Sequence, residues 1–125
     1  MGRIRTEIRF NGHGAWTLFD TGSRNSYMIP AVARGLPTYI LPTAYHVSLG
    51  GSRHQLRKMC KITARLEGKP IFFDAFVIDD IGKDEEGKEI QILFGALDMQ
   101  RWGIRPVPDK EKLDLSNYSR EFIEY

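Results

Sequence analysis

The sequence predicts an all-β domain. Apolar and polar residues alternate over long stretches, as they do in strands with one face to water and one to a core. Glycine-containing turns separate these stretches at short intervals. Only one segment, late in the chain, carries a helical pattern. Many short strands and a single short helix are the pattern of a compact barrel or sandwich.

Residues 3–10 (RIRTEIRF) place Ile4, Ile8 and Phe10 on one face and Arg3, Arg5, Glu7 and Arg9 on the other. Asn11-Gly12 follows, the strongest short hairpin signal. Residues 15–19 (AWTLF) are the returning strand, nearly all apolar and therefore expected to be buried on both faces. Residues 43–49 (AYHVSLG) form another strand, turned at Gly50-Gly51-Ser52. In the long partner 53–66, Leu56, Cys60, Ile62, Ala64 and Leu66 face one way; Arg53, Arg57, Lys61 and Arg65 face the other. Glu67-Gly68-Lys69 is the next turn, and residues 70–78 (PIFFDAFVI) are a strongly apolar strand. Residues 79–88 form an acidic, glycine-containing loop, and 89–94 (EIQILF) a further strand ending at Gly95. Residues 96–102 (ALDMQRW) are the helix, stopped by Gly103. The tail turns polar after Pro106 and Pro108, and periodicity leaves 113–125 open between strand, helix and disorder.

Size and composition agree with one globular domain. The chain has 125 residues, with 42% hydrophobic and 27% charged, so it can bury a core without a metal or disulfide staple. Eighteen basic and sixteen acidic residues give a formal charge of +2, too balanced to argue for nucleic acid. Cys60 is the single cysteine, so neither an internal disulfide nor a multi-thiolate metal site can form. No stretch reaches the roughly 18 apolar residues of a membrane span, and no secretory signal is read at the N-terminus. A cytoplasmic location is the expectation. Gly2 and Thr6 match the permissive myristoylation pattern, but the alternating Arg3, Arg5 and Arg9 favour an ordinary first strand.

The informative segment is Leu18-Phe19-Asp20-Thr21-Gly22-Ser23-Arg24-Asn25-Ser26. A strand buried on both faces ends in an aspartate, then a small hydroxyl residue, then glycine. Glycine permits a tight turn and lets backbone approach the carboxylate. Thr21 and Ser23 supply hydroxyls and backbone N–H groups that hold the carboxylate in one orientation. The ordinary reading is a strand-to-turn junction with a hydrogen-bonding aspartate.

A second element, Ile92-Leu93-Phe94-Gly95, is an apolar strand that ends in glycine and enters the helix. With it, the run FDTGSRNSYMIP at 19–30 resembles the active-site loop of pepsin-like aspartic proteases. The order of parts over residues 3–107 resembles the single-domain, retroviral-type (retropepsin-like) proteases. The resemblance implies a closed acid-protease-like β-barrel, a glycine-tipped flap hairpin at 43–57 and one short C-terminal helix. It places the protease-like domain at residues 1–108 and leaves 109–125 as a tail.

The resemblance also implies a mechanism. Hydrolysis of this kind needs two carboxylates sharing one proton around one water. The chain has one Asp-Thr-Gly, so the second carboxylate comes from another copy and the expected enzyme is a symmetric homodimer. Asp20 polarises the water, Thr21 ties the two loops together and Gly22 lets the loop fold beneath the carboxylate. Ser23, Leu49, Gly50 and Gly51 are the expected substrate contacts, with a peptide or protein bound as an added strand. Two departures stand out. The retroviral pattern has acidic residues soon after Asp-Thr-Gly and an arginine after the later glycine; here those positions hold Arg24-Asn25 and Ala96. Asp98 is offered as a partner for Arg24 or Arg101. The tail 113–125 has three open fates: joining a dimer sheet, folding back on the barrel, or neither.

Other features carry less. His13, His46 and His54 lack partners at ligand spacing, so no metal or cofactor is expected, although His46 and His54 fall on opposite arms of the flap. Arg53, Arg57, Lys58, Lys61 and Arg65 make a solvated strand face, or a contact for an acidic peptide or nucleic acid, the latter without interleaved aromatics to support it. Ser23 and Ser26 have no histidine placed to activate them, and Cys60 is core. The competing function is a non-catalytic retropepsin-like domain that dimerises or binds peptides. No nucleic acid and no membrane partner is expected.

Overall fold

The computed structural model describes residues 3–124. In order, the elements are β1 (Arg3–Phe10), β2 (His13–Asp20), β3 (Tyr27–Met28), α1 (Pro30–Ala33), β4 (Thr38–Leu49), β5 (Ser52–Leu66), β6 (Lys69–Val77), β7 (Ile92–Phe94), α2 (Ala96–Trp102), β8 (Arg105–Val107), a 3-10 turn (Pro108–Lys110) and β9 (Lys112–Asp114). The Gly2 of the myristoylation pattern lies outside the described residues.

The hairpin turns behave as their residues dictate. Asn11-Gly12, Gly50-Gly51 and Glu67-Gly68 all have positive φ at both positions, the geometry that matches the right-handed twist of paired strands. Each turn then sets the register of the strands that leave it. Arg3 falls opposite Asp20, Leu49 opposite Ser52, and Cys60 opposite Ala75.

Seven strands form one mixed sheet in the order β1-β2-β7-β3-β6-β5-β4. Strand β7 is inserted between β2 and β3, parallel to the first and antiparallel to the second. It therefore separates the two strands that flank the Asp-Thr-Gly turn. The sheet also turns back on itself, with β1 meeting β5 at one residue pair, Arg9 and Arg65.

The core holds two clusters. The larger contains Ile8, Phe19, Phe73, Phe94, Met99 and Trp102. Phe94 packs its ring against Phe19 at 5.1 Å and edge-on to Phe73 at 4.9 Å. The smaller joins Leu18, Tyr27, Leu56 and Leu93, with Val47 and Leu49 of β4 resting on it. Strand β2 feeds both clusters, so its last residues are buried on both faces, as expected.

Several boundaries differ from those read in the sequence. The flap hairpin is longer than 43–57, because β4 begins at Thr38 and pairs with β5 as far as Cys60. Its register slips between Ile40 and Tyr45. Pro42 lies in that stretch and has no N–H to give to a ladder. Strand β3 and the one-turn helix α1 are additions. The strand expected at 89–94 shortens to β7, because Ile90 donates its N–H to the Gly82 carbonyl at 2.9 Å and Gln91 to Trp16 at 2.8 Å.

Part of the tail packs back on the domain. Strand β9 pairs with β8, and Leu113 is buried in the main cluster. Residue 109 itself lies in the 3-10 turn between these strands. Beyond them Tyr118 stacks on Trp102 at 5.9 Å, and Phe122 meets the same ring edge-on.

Candidate functional site

Asp20 is the last residue of β2 and its side chain is only 9% exposed. A carboxylate so placed needs donors, and two described residues supply them. The Gly22 N–H donates to Oδ1 at 2.8 Å, and Arg3 Nε donates to Oδ2 at 3.2 Å. The Ser23 N–H donates to the Asp20 carbonyl at 3.1 Å and closes the turn. Thr21 follows on the exposed side of that turn.

Helix α2 clamps the loop from behind. Its first N–H groups have no partner inside the helix, and they bond to loop carbonyls. Ala96 N–H donates to Ser23 O at 2.6 Å and Leu97 N–H to Arg24 O at 3.1 Å. Gly95 is required for this approach, because a Cβ there would overlap the Asn25 carbonyl. Ser26 completes the clamp: its hydroxyl donates to Asp98 Oδ2 at 2.6 Å and accepts from the Gly95 N–H at 3.0 Å. Burial pushes the Asp98 carboxyl up from its ordinary value; the Ser26 hydrogen bond and the Arg101 charge oppose this. Asp98 thus takes Ser26 as its hydrogen-bond partner, neither of the arginines offered for it, and of those two only Arg101 acts on it electrostatically.

The flap reaches over this turn. A cavity of about 340 Å3 is lined by Arg3, Asp20, Gly22, Ser23 and Arg24 below and by Val47, Ser48, Leu49 and Gly50 above. The structure therefore brings Asp20, Gly22, Ser23, Leu49 and Gly50 to one place. Gly51 sits at the flap tip and Thr21 in the turn, both outside the lining. Arg3, Ser26 and Asp98 are the residues that sequence reasoning did not assign to the site. A larger cavity, about 650 Å3, lies at the far end between the Asn11-Gly12 and Glu67-Gly68 turns. Its Glu7 pairs with Arg9 on the surface, and it holds no buried carboxylate. The smaller cavity has the chemistry.

The remaining candidates resolve by register. His46 is opposite Gln55 and His54 opposite Val47, so the two histidines point to opposite faces of the flap. Among the described residues no group of three metal-ligating side chains occurs. Cys60 is fully buried, and burial pushes its thiol up, with Asp74 adding to the effect. No helix among the described residues is long and apolar enough to cross a membrane.

The fold as a whole is matched in a solved structure. The crystal structure of the retroviral protease-like domain of Ddi1 from Leishmania major superposes with a TM-score of 0.65, covering 94% of this chain and 90% of that one. The fold is retropepsin-like. The two chains share 18% sequence identity, so the likeness is one of fold. No family model matches the sequence, and no curated protein matches it.

Proposed function

We propose that the protein is an aspartic endopeptidase, active as a homodimer, in which Asp20 of each copy contributes to one shared-proton dyad. The observation that carries this reading is the Asp20 carboxylate itself. It is buried at a strand end, oriented by the Gly22 N–H and open to a cavity that the flap covers. Two such groups brought together cannot both ionise cheaply, so they hold one proton between them. One then acts as base toward the attacking water and the other as acid toward the carbonyl.

In this reading Gly22 lets the loop pass under the carboxylate and Thr21 ties the two loops across the two-fold axis. Ser23, Leu49, Gly50 and Gly51 bind an extended peptide beneath the flap, which excludes water as it closes. Residues 1–108 carry the protease-like unit, and residues 109–125 brace it. A single buried cysteine fits a reducing, cytoplasmic setting. No cofactor takes part.

The Arg3 ion pair bears on the competing reading, a non-catalytic dimerisation or peptide-binding domain, because it occupies Asp20 Oδ2 within one protomer. The Arg3 side chain is 51% exposed but that of Asp20 only 9%, so the pair is open to water on one side alone and the carboxylate depends on its donors. A partner copy or substrate that displaces Arg3 must give the Asp20 carboxylate a donor or a shared proton in its place.

The test is cleavage of a diverse peptide pool between about pH 4 and 8, by wild type and Asp20→Asn. Wild type is expected to cut best at acidic to mildly acidic pH, where one proton stays on the dyad. Asp20→Asn is expected to lose roughly 10²–10⁴-fold or more in rate. Equal cleavage by both proteins would refute the assignment.

A further inference from the structure

Three ionisable side chains line the cavity under the flap: Arg3, Arg24 and Asp20. Arg3 and Asp20 pair with each other. Arg24 is exposed and, among the described residues, has no ion-pair or side-chain hydrogen-bond partner. The flap residues above it, Val47 to Gly50, are uncharged and supply no counter-charge.

Arg53 and Arg57 are exposed on β5, the second strand of the flap hairpin, but on the face opposite Leu56, so they charge the outer side of the flap. Two acids of the loop 79–88 are engaged elsewhere. Asp84 accepts the Glu86 and Lys88 N–H groups and the Trp16 indole N–H, and Glu85 pairs with Arg5, around a separate cavity.

We infer that the cleft selects peptides carrying a glutamate or aspartate close to the reacting bond, with Arg24 as the residue that determines this specificity. The inference rests on reading Asp20 as the reactive centre. A guanidinium is suited to the task, because its planar fork takes a carboxylate in two parallel hydrogen bonds. A substrate lysine in the same place meets an unbalanced cation. A two-fold dimer repeats Arg24 on the other side of the dyad, so the preference holds on both sides of the bond.

The experiment uses one extended peptide series with Glu, Gln or Lys placed in turn at each position around the cut. Cleavage efficiency is measured for wild type, Arg24→Gln and Arg24→Glu. Binding of the same peptides is measured by fluorescence anisotropy on Asp20→Asn, with and without Arg24→Glu. Wild type is expected to favour Glu over Lys by about tenfold at one or two positions, with the preference shrinking as salt is raised. Arg24→Gln flattens the preference and Arg24→Glu reverses it, in cleavage and in binding alike. No charge preference, a preference that survives Arg24→Glu, or no measurable binding of the acidic peptides would overturn the inference. Absence of cleavage by wild type, with the binding preference intact and reversed by Arg24→Glu, would remove the catalytic reading and leave the selectivity standing.

Discussion

Gly95→Ala is expected to lower both stability and cleavage sharply. The added methyl would overlap the Asn25 carbonyl carbon and oxygen and press on the Arg24 carbonyl oxygen. All of these are backbone atoms of the loop that carries Asp20, so no flexible side chain can yield. Overpacking of this kind costs about 1–3 kcal/mol and sometimes more. In a domain of this size each kcal/mol lowers Tm by roughly 4 °C. The loop must also move, and a misplacement near 1 Å at a reactive group costs about 10²-fold in rate. Thermal denaturation and peptide cleavage read the two effects separately. A variant with wild-type Tm and wild-type cleavage would show that the helix does not hold the loop as described.

Phe94→Ala is expected to cost about 3–5 kcal/mol, the range for removing a fully buried aromatic ring. Phe94 has no exposed surface, and its ring touches both Phe19 and Phe73. A typical domain has only about 5–15 kcal/mol in total, so this one change removes a large share. Its position adds a second consequence. Phe94 precedes Gly95 and pairs in register with Phe19, which precedes Asp20. The cavity left behind therefore loosens both ends of the site at once. Phe94→Leu keeps most of the volume and is expected to cost markedly less. Chemical denaturation of both variants checks the order. A loss below about 1 kcal/mol for Phe94→Ala would contradict the packing described.

Much of the fold was legible because its strands have one wet face and its turns have strong local chemistry. The alternation in 53–66 reports the inward residues of β5 correctly, and Gly95 and Gly103 bound the helix where the pattern places it. The contact of Arg3 with Asp20 was also within reach. Counting outward from the Asn11-Gly12 turn puts these residues opposite each other. What stayed hidden depends on distant partners. Tyr27-Met28 is too short to show a period, and it becomes a strand only because β6 and β7 present their edges to it. Helix α1 is a single turn started by Pro30. The Ser26 to Asp98 bond spans 72 residues and needs β7 inserted between β2 and β3 before it can form. The flap's register slip follows Pro42, a residue that marks an interruption without giving its size.

The claim that each active centre takes one Asp20 from each of two chains is tested most directly by mixing. Wild type and Asp20→Asn are combined at fixed total concentration, unfolded together and refolded so that chains pair at random. If both aspartates are needed, activity follows the square of the wild-type fraction, and an equal mixture keeps about a quarter of the wild-type rate. A linear fall, with about half the rate kept in the equal mixture, would mean that one chain suffices and would contradict the shared dyad.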